Sequence, residues 1–270
     1  MMKGKLSVIL RWVVLIVVLI AIYLPLALIV IYSFSSARDI GGEGEITFAL
    51  YTALFEDESL LEAMSNTLII GLSSAAISTF VGTFCSVGIH YMRKAKKAVN
   101  FISQITVVNA EIVTAIGFFL LSLFIRNVLN IPMTKGMGWL IMAHTVITIP
   151  YVILSVSPRL NQLNPNLFEA SMDLGAGPMR SLFTVMFPQL VGSMISGFAL
   201  AFTLSLDDFV ITNLNTGSSG ISTISTYVYE NFKRNLNPAV RALSTIIFVA
   251  VLVILIIFNV ISKKNAKKKN

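Results

Sequence analysis

The chain has 270 residues, of which 56% are hydrophobic and only 12% charged, with a mean hydropathy of +0.83. That balance excludes an ordinary soluble domain and predicts a single all-α, polytopic membrane domain spanning 1–270. The formal charge of +7, from 20 Lys and Arg against 13 Asp and Glu, is gathered in short clusters between apolar runs; with no polar domain to carry a binding face, membrane topology explains it better than nucleic acid, which is not expected as a partner.

The first apolar run, Trp12 to Tyr32, follows Lys3, Lys5 and Arg11. It is longer than a signal-peptide core and matches the roughly 20 residues that cross a bilayer, so it reads as a retained anchor helix. From Phe34 to Met64 the chain turns acidic, with Asp39, Glu43, Glu45, Glu56, Asp57, Glu58 and Glu62 against Arg38. Gly41, Gly42 and Gly44 predict a flexible loop there, suited to the outer side. Five further runs, at about 66–90, 101–125, 138–157, 191–211 and 243–261, bring the expected count to six transmembrane helices. Both termini then lie on one side of the membrane.

Lys and Arg set that side. Fourteen of them fall with the termini: Lys3, Lys5, Arg11, Arg93, Lys94, Lys96, Lys97, Arg159, Arg180 and the tail lysines 263, 264, 267, 268 and 269. Six fall opposite, at Arg38, Arg126, Lys135, Lys233, Arg234 and Arg241. The positive-inside rule therefore predicts cytoplasmic termini. The lysine tail could also be an anionic-lipid or nucleic-acid patch, but topology explains it more simply.

Small residues recur every four positions in two runs: Ser74, Ser78, Gly82 and Ser86 in the second, Ser193, Gly197 and Ala201 in the fifth. Such stripes let helix backbones approach in lipid, and they predict helix contacts within the subunit or with a partner. Pro150 is a candidate kink and Pro188 a helix start. Cys85, the lone cysteine, excludes an internal disulfide and reads as a packing residue.

Ionisable groups inside the runs are few: Glu111, His144, Asp207 and Asp208, with His90 at an end. A charge in hydrocarbon costs about 2.5 to 3.5 kcal/mol or more unless it faces protein or water, so each carboxylate is a candidate for function. Helical rise puts Glu111 about 15 Å into its run, near the midplane, and the aspartates near the outer end. Adjacent helical residues point about 100° apart, so one aspartate can line a cavity while the other caps or pairs. Thr203, Ser205, Thr212, Asn213 and Asn215 predict a water-lined vestibule around them. Glu111, Asp207 and Asp208 are thus candidate substrate-path residues for a cation, while a buried helix pair or loop cap would explain each equally well. His144 reads as a satisfied polar contact. No metal-ligand spacing, phosphate loop or nucleophile and base pair is visible, so neither metal, cofactor nor catalysis is expected of this chain.

The connection over 158–187 is long for an idle link. Asn164, Pro165 and the spacing of Leu167, Ala170, Ser171 and Leu174 predict a short helix over 165–174, ended by Gly175 and Gly177. Leu182, Phe183 and Met186 predict a second over 178–187. Such a pair can lie on the membrane surface or dock a partner.

Within this connection Glu169, Ala170 and Ser171, then Gly175, then Val185, Met186, Phe187 and Pro188 resemble the EAA signature of ATP-binding-cassette importer permeases. That signature reads Glu-Ala-Ala, three residues, Gly, nine residues, Ile, any residue, Leu, Pro, with Ser171, Val185 and Phe187 as departures here. Tyr32 to Phe34, Ala110 to Val113, Leu204 to Thr212 and Asn237 to Thr245 are similar to the permeases of spermidine and putrescine importers, in particular the second permease subunit. Ala110 stands where that family often has Pro, and Ser218 to Thr226 replace a usual Leu-Pro. The resemblance implies the type I importer permease fold in a bacterial cytoplasmic membrane. It also implies that Glu169, Ala170, Ser171, Gly175 and Pro188 belong to a coupling loop that docks on an ATPase. Implied partners are a homologous permease in a heterodimer, an ATP-binding-cassette ATPase dimer that hydrolyses the ATP, an extracytoplasmic binding protein, a polyamine and membrane lipid. An ion-coupled secondary transporter with a proton relay through the carboxylates is the alternative, and a structural scaffold is a third class.

Overall fold

A computed structural model describes residues 2–37, 41–92, 96–132, 135–164, 166–234, 238–249 and 252–253, and these are helical nearly throughout. Among the described residues, four helices are long and apolar enough to cross a membrane: Leu10–Ser33, Glu58–Tyr91, Met137–Leu160 and Pro178–Asp207. The chain divides into two compact units, Met1–Leu61 with Glu230–Asn270, and Glu62–Tyr229.

In the first unit, α1 (Met2–Ser33) leads into the acidic segment. Its described residues make specific contacts. Ser35 pairs with Ile46 in an isolated bridge, Gly41 takes φ +94°, and a side chain on Gly44 would run into the Ala37 backbone. Phe34, Phe48 and Tyr51 cluster with ring centroids 5.2 to 6.1 Å apart, and Ser33 Oγ lies 2.9 Å from the Tyr51 hydroxyl, fixing α2 (Ala49–Glu56) against the end of α1. Asp57 then caps the next helix, accepting from the Leu60 amide at 3.1 Å and Ser59 Oγ at 2.6 Å. That cap starts α3 (Glu58–Tyr91) well before the apolar run does. Arg241 donates to the Ala37 carbonyl at 2.9 Å, at the head of a helix over Ala239–Val249. The rest of the sixth expected crossing, 243–261, and the tail lysines lie largely outside the described residues.

In the second unit two expected crossings are interrupted. The run over 101–125 is two helices, α4 (Lys96–Val108) and α5 (Glu111–Asn127), because Ala110 is extended with ψ 131°. The run over 191–211 is likewise α9 (Phe187–Asp207) and α10 (Val210–Asn215), separated where Asp208 is extended with ψ 127°. The expected second short helix does not end at Phe187. α8 (Pro178–Ser181) passes through a π-helical turn, Leu182–Met186, straight into α9. The Phe187 amide reaches back to the Leu182 carbonyl, and the wider turn accommodates Pro188, which has no amide of its own to donate. α7 (Asn166–Asp173) precedes this segment and α11 (Ile224–Arg234) closes the unit.

α6 (Met137–Leu160) runs through the middle, with Leu140, Ala143, His144, Val152 and Val156 all buried. Both small-residue stripes meet it. An added Cβ on Gly82 of α3 would fall 2.8 Å from Val152 Cβ, and one on Gly197 of α9 would fall 3.3 Å from Val152 Cγ1. Ser74, Ser78 and Ser86 are buried on the same face of α3. Cys85 is exposed, on the side of α3 turned away from this core, so it is not the packing residue its apolar neighbourhood suggests. Gly82→Val drives two branched side chains together and is expected to destabilise the protein by about 1–3 kcal/mol. Gly88→Ala, which meets nothing within 4 Å, is expected to leave stability unchanged or slightly raised. Thermal unfolding in detergent checks the pair.

Candidate translocation and coupling sites

The two helix interruptions face each other. Glu111 opens α5 directly after the extended Ala110, and its carboxyl lies within interaction range of Asp208, with Asp207 close enough to interact electrostatically. The depth count separates Glu111 from the aspartates because it assumes unbroken helices. The two breaks bring the three carboxyls to one place.

They are not equivalent there. Asp207 and Glu111 are exposed, whereas Asp208 is 5% exposed. Asp208 Oδ1 accepts from the Ile211 amide at 3.1 Å, and Oδ2 accepts from the Thr212 amide and hydroxyl, each at 3.0 Å. Asp208 is therefore the cap of α10, satisfying amides that the break leaves open. His144 Nε2 lies 3.3 Å from Asp208 Oδ2 and 3.1 Å from Thr212 Oγ1, while Nδ1 lies 2.7 Å from Ser205 Oγ. Ser74 Oγ donates to Ser205 Oγ at 3.1 Å. A carboxylate only accepts, so in the neutral imidazole the proton sits on Nε2 and Ser205 donates to Nδ1. The chain of bonds ties α3, α9, α6 and α10 together without an unpartnered buried side-chain polar atom among the described residues.

Below the cap, Trp139 Nε1 donates to Asn215 Oδ1 at 3.2 Å, and Asn215 Nδ2 donates to the Ala115 carbonyl at 3.1 Å. Ala115, Phe118, Trp139, Ala143 and Ile211 pack around this pin. Ser205, Thr212 and Asn215 thus serve packing, not a vestibule; of the expected vestibule residues Thr203 and Asn213 are the exposed ones. Nearby, the Lys135 ammonium sits 4.0 Å above the Phe119 ring, and burial lowers its affinity for a proton below the ordinary lysine range. Sequence pattern does not flag Trp139 or Lys135. A polar residue in an apolar helix is a visible signal, but its partner is not.

The second candidate site is the 158–187 connection. Asn164 Oδ1 accepts from the Asn166 amide at 3.0 Å and opens α7. α7 ends in a Schellman turn. The Ala176 amide returns to the Ser171 carbonyl at 3.2 Å and the Gly175 amide to Met172 at 2.9 Å, with Gly175 at φ +88°. Only glycine takes that conformation at little cost. Ser171 Oγ donates to Ser181 Oγ at 2.9 Å, bracing α7 against α8. Glu169 and Ala170 are exposed, Pro188 lies in the first turn of α9, and Leu174 is 90% exposed with Met172 and Met179 beside it in sequence on either side of the turn. The tip therefore presents apolar side chains with the exposed charges of Glu169, Asp173 and Arg180 among them.

Residues 78–268 match the family described as binding-protein-dependent transport system inner membrane component. Among curated proteins the chain is 31% identical over 232 residues to the putrescine transport system permease protein PotI of Escherichia coli, covering 85% of this chain and 82% of that one. It is 30% identical over 246 residues to the spermidine/putrescine transport system permease protein PotC of Haemophilus influenzae, covering 90% and 93%. Among solved structures it shares its fold, at a TM-score of 0.69 and 16% identity over 97% of this chain and 96% of the other, with a chain of a bacterial ABC transporter involved in import of the acidic polysaccharide alginate. A second, at a TM-score of 0.55 and 19% identity over 74% and 92%, is from the MetNI methionine ABC transporter in an inward-facing conformation. With more than half its length matched, this multi-pass, helical chain belongs to the family of binding-protein-dependent transport system inner membrane components.

Proposed function

We propose that the chain is the second permease subunit of an ATP-binding-cassette importer that moves spermidine or putrescine across a bacterial cytoplasmic membrane. It forms the path as a heterodimer with a homologous permease and receives substrate from an extracytoplasmic binding protein. Both termini face the cytoplasm, as does the 158–187 loop. Through Glu169, Ala170, Ser171, Gly175 and Pro188 this loop couples to an ATPase dimer.

The observation that carries this reading is the convergence of Glu111, Asp207 and Asp208 at two helix breaks. Like charges so close repel, and a cation that enters between them removes the repulsion. A polyamine carries several ammonium groups, which suits a cluster of carboxyls better than a single one. The permeases with which the chain is about 30% identical over most of its length are named for putrescine and for spermidine/putrescine transport. Discontinuous helices in membrane proteins place charged groups and open backbone at a path wall, where water or protein can satisfy them. The exposed carboxyls of Glu111 and Asp207 are the ones a substrate can touch. Asp208, enclosed by its hydrogen bonds, holds the geometry.

Expected outcomes separate these roles. Asp207→Asn and Glu111→Gln each lower putrescine- or spermidine-stimulated uptake about tenfold or more, equivalent to about 1.4 kcal/mol, with assembly unchanged. Uptake by reconstituted complexes measures this, and undiminished uptake by both variants removes the path role. Asp208→Ala strips α10 of its cap and lowers stability by about 1–3 kcal/mol in a thermal melt, while Asp207→Ala stays within about 0.5 kcal/mol. Glu169→Ala loses the ATPase on co-purification; retention of the ATPase together with full uptake sinks the coupling reading.

A further inference from the structure

α7 has no fully buried residue, so something other than its own core must hold it to the membrane helices. Phe168 supplies that hold. Its ring lies 5.3 Å from the ring of Tyr91, the last residue of α3, and it packs on the cluster that contains Val152, Val156, Leu160, Met186 and Leu190. The Tyr91 hydroxyl donates to Met186 Sδ at 3.4 Å, inside the π-helical turn that leads into α9. One side chain, rooted in the end of α3, therefore touches two other elements: the short helix α7 and the turn before α9. His90 braces it, with its ring edge-on at 5.2 Å and its Nδ1 3.2 Å from Asn161 Oδ1 at the end of α6. Glu169 is within electrostatic reach of the same phenol.

We propose that Tyr91 is a positioning residue that locks α7 to α3 and to the π-helical turn, so that a push on α7 moves α3 and α9 together. This rests on the coupling role proposed above for the 158–187 loop. The physical requirement is that force on an exposed tip reach a packed core through contacts that do not slip. The brace from Ser171 to Ser181 joins α7 only to α8, its neighbour in the chain. The path to α3 runs through Tyr91. Its ring supplies shape against Phe168, and its hydroxyl supplies direction toward the polarisable Met186 sulfur. Without the ring, α7 stays attached to α9 through the chain while α3 is left behind.

The test uses the full chain assembled with its partner permease and ATPase in lipid vesicles. Tyr91→Ala is expected to keep the ATPase at the wild-type ratio and to keep basal hydrolysis, while substrate moved per ATP falls about fivefold or more. Tyr91→Phe, which retains the ring, is expected to lose about twofold or less. A third arm replaces Cys85 with Ser and joins Tyr91→Cys to Phe168→Cys by a short bifunctional thiol reagent, which restores the tie by covalent means. Uptake per ATP rises on linking if the tie is what matters. Wild-type coupling in Tyr91→Ala, loss of bound ATPase in that variant, or no recovery on linking overturns the proposal. Failure of the wild-type chain to hold an ATPase overturns the coupling reading beneath it and, with it, this proposal.

Discussion

The rest of the second unit depends on how closely α6 approaches its neighbours at Val152. Gly82 on α3 and Gly197 on α9 leave no side chain between their backbones and this valine. In lipid the apolar medium competes equally for apolar side chains, so helices associate through dense packing and polar contacts rather than through the hydrophobic effect. Close approach at Val152 supplies the first. It also brings His144, two turns earlier on α6, within reach of Ser205 and Asp208, and so permits the second. Packing at one level of the bundle makes the hydrogen-bond network at another level possible.

That network resolves a conflict built into the sequence. A break in a membrane helix exposes amides and carbonyls that hydrocarbon cannot satisfy. At the end of α9, Asp208 takes the open amides of α10, and His144 and Thr212 take the carboxylate in turn. The charge is thereby embedded in donors. Asp207, its neighbour, receives no such enclosure and stays exposed. Two adjacent identical residues thus acquire different environments from a single change of backbone direction.

The short helix α7 was legible in the sequence to a residue or two. It ends where Gly175 stands, and the Schellman bonds give the reason. Long apolar runs were legible too, as were the small-residue stripes of α3 and α9 that make helix contacts, here with α6. The helix breaks were not. Ala110 carries no local signal for extended backbone, and the break beside Asp208 is stabilised by a histidine on another helix. Depth counted along a run fails at such points, which is why Glu111 and Asp208 meet when counting keeps them apart. The exposure of Cys85 has a related cause: in an apolar helix, a position facing outward and one facing the core have the same neighbours in sequence.

The π-helical turn at Leu182–Met186 gives the helix from Pro178 to Asp207 a change of phase. A wide turn takes in one extra residue, so the faces on either side of it are offset by about 100° from those of an unbroken α-helix. Arg180 and Ser181 on one side and Leu190 on the other therefore point in directions that heptad counting would not assign them. The loop end and the membrane end of this one continuous rod are aimed separately, each at its own neighbours.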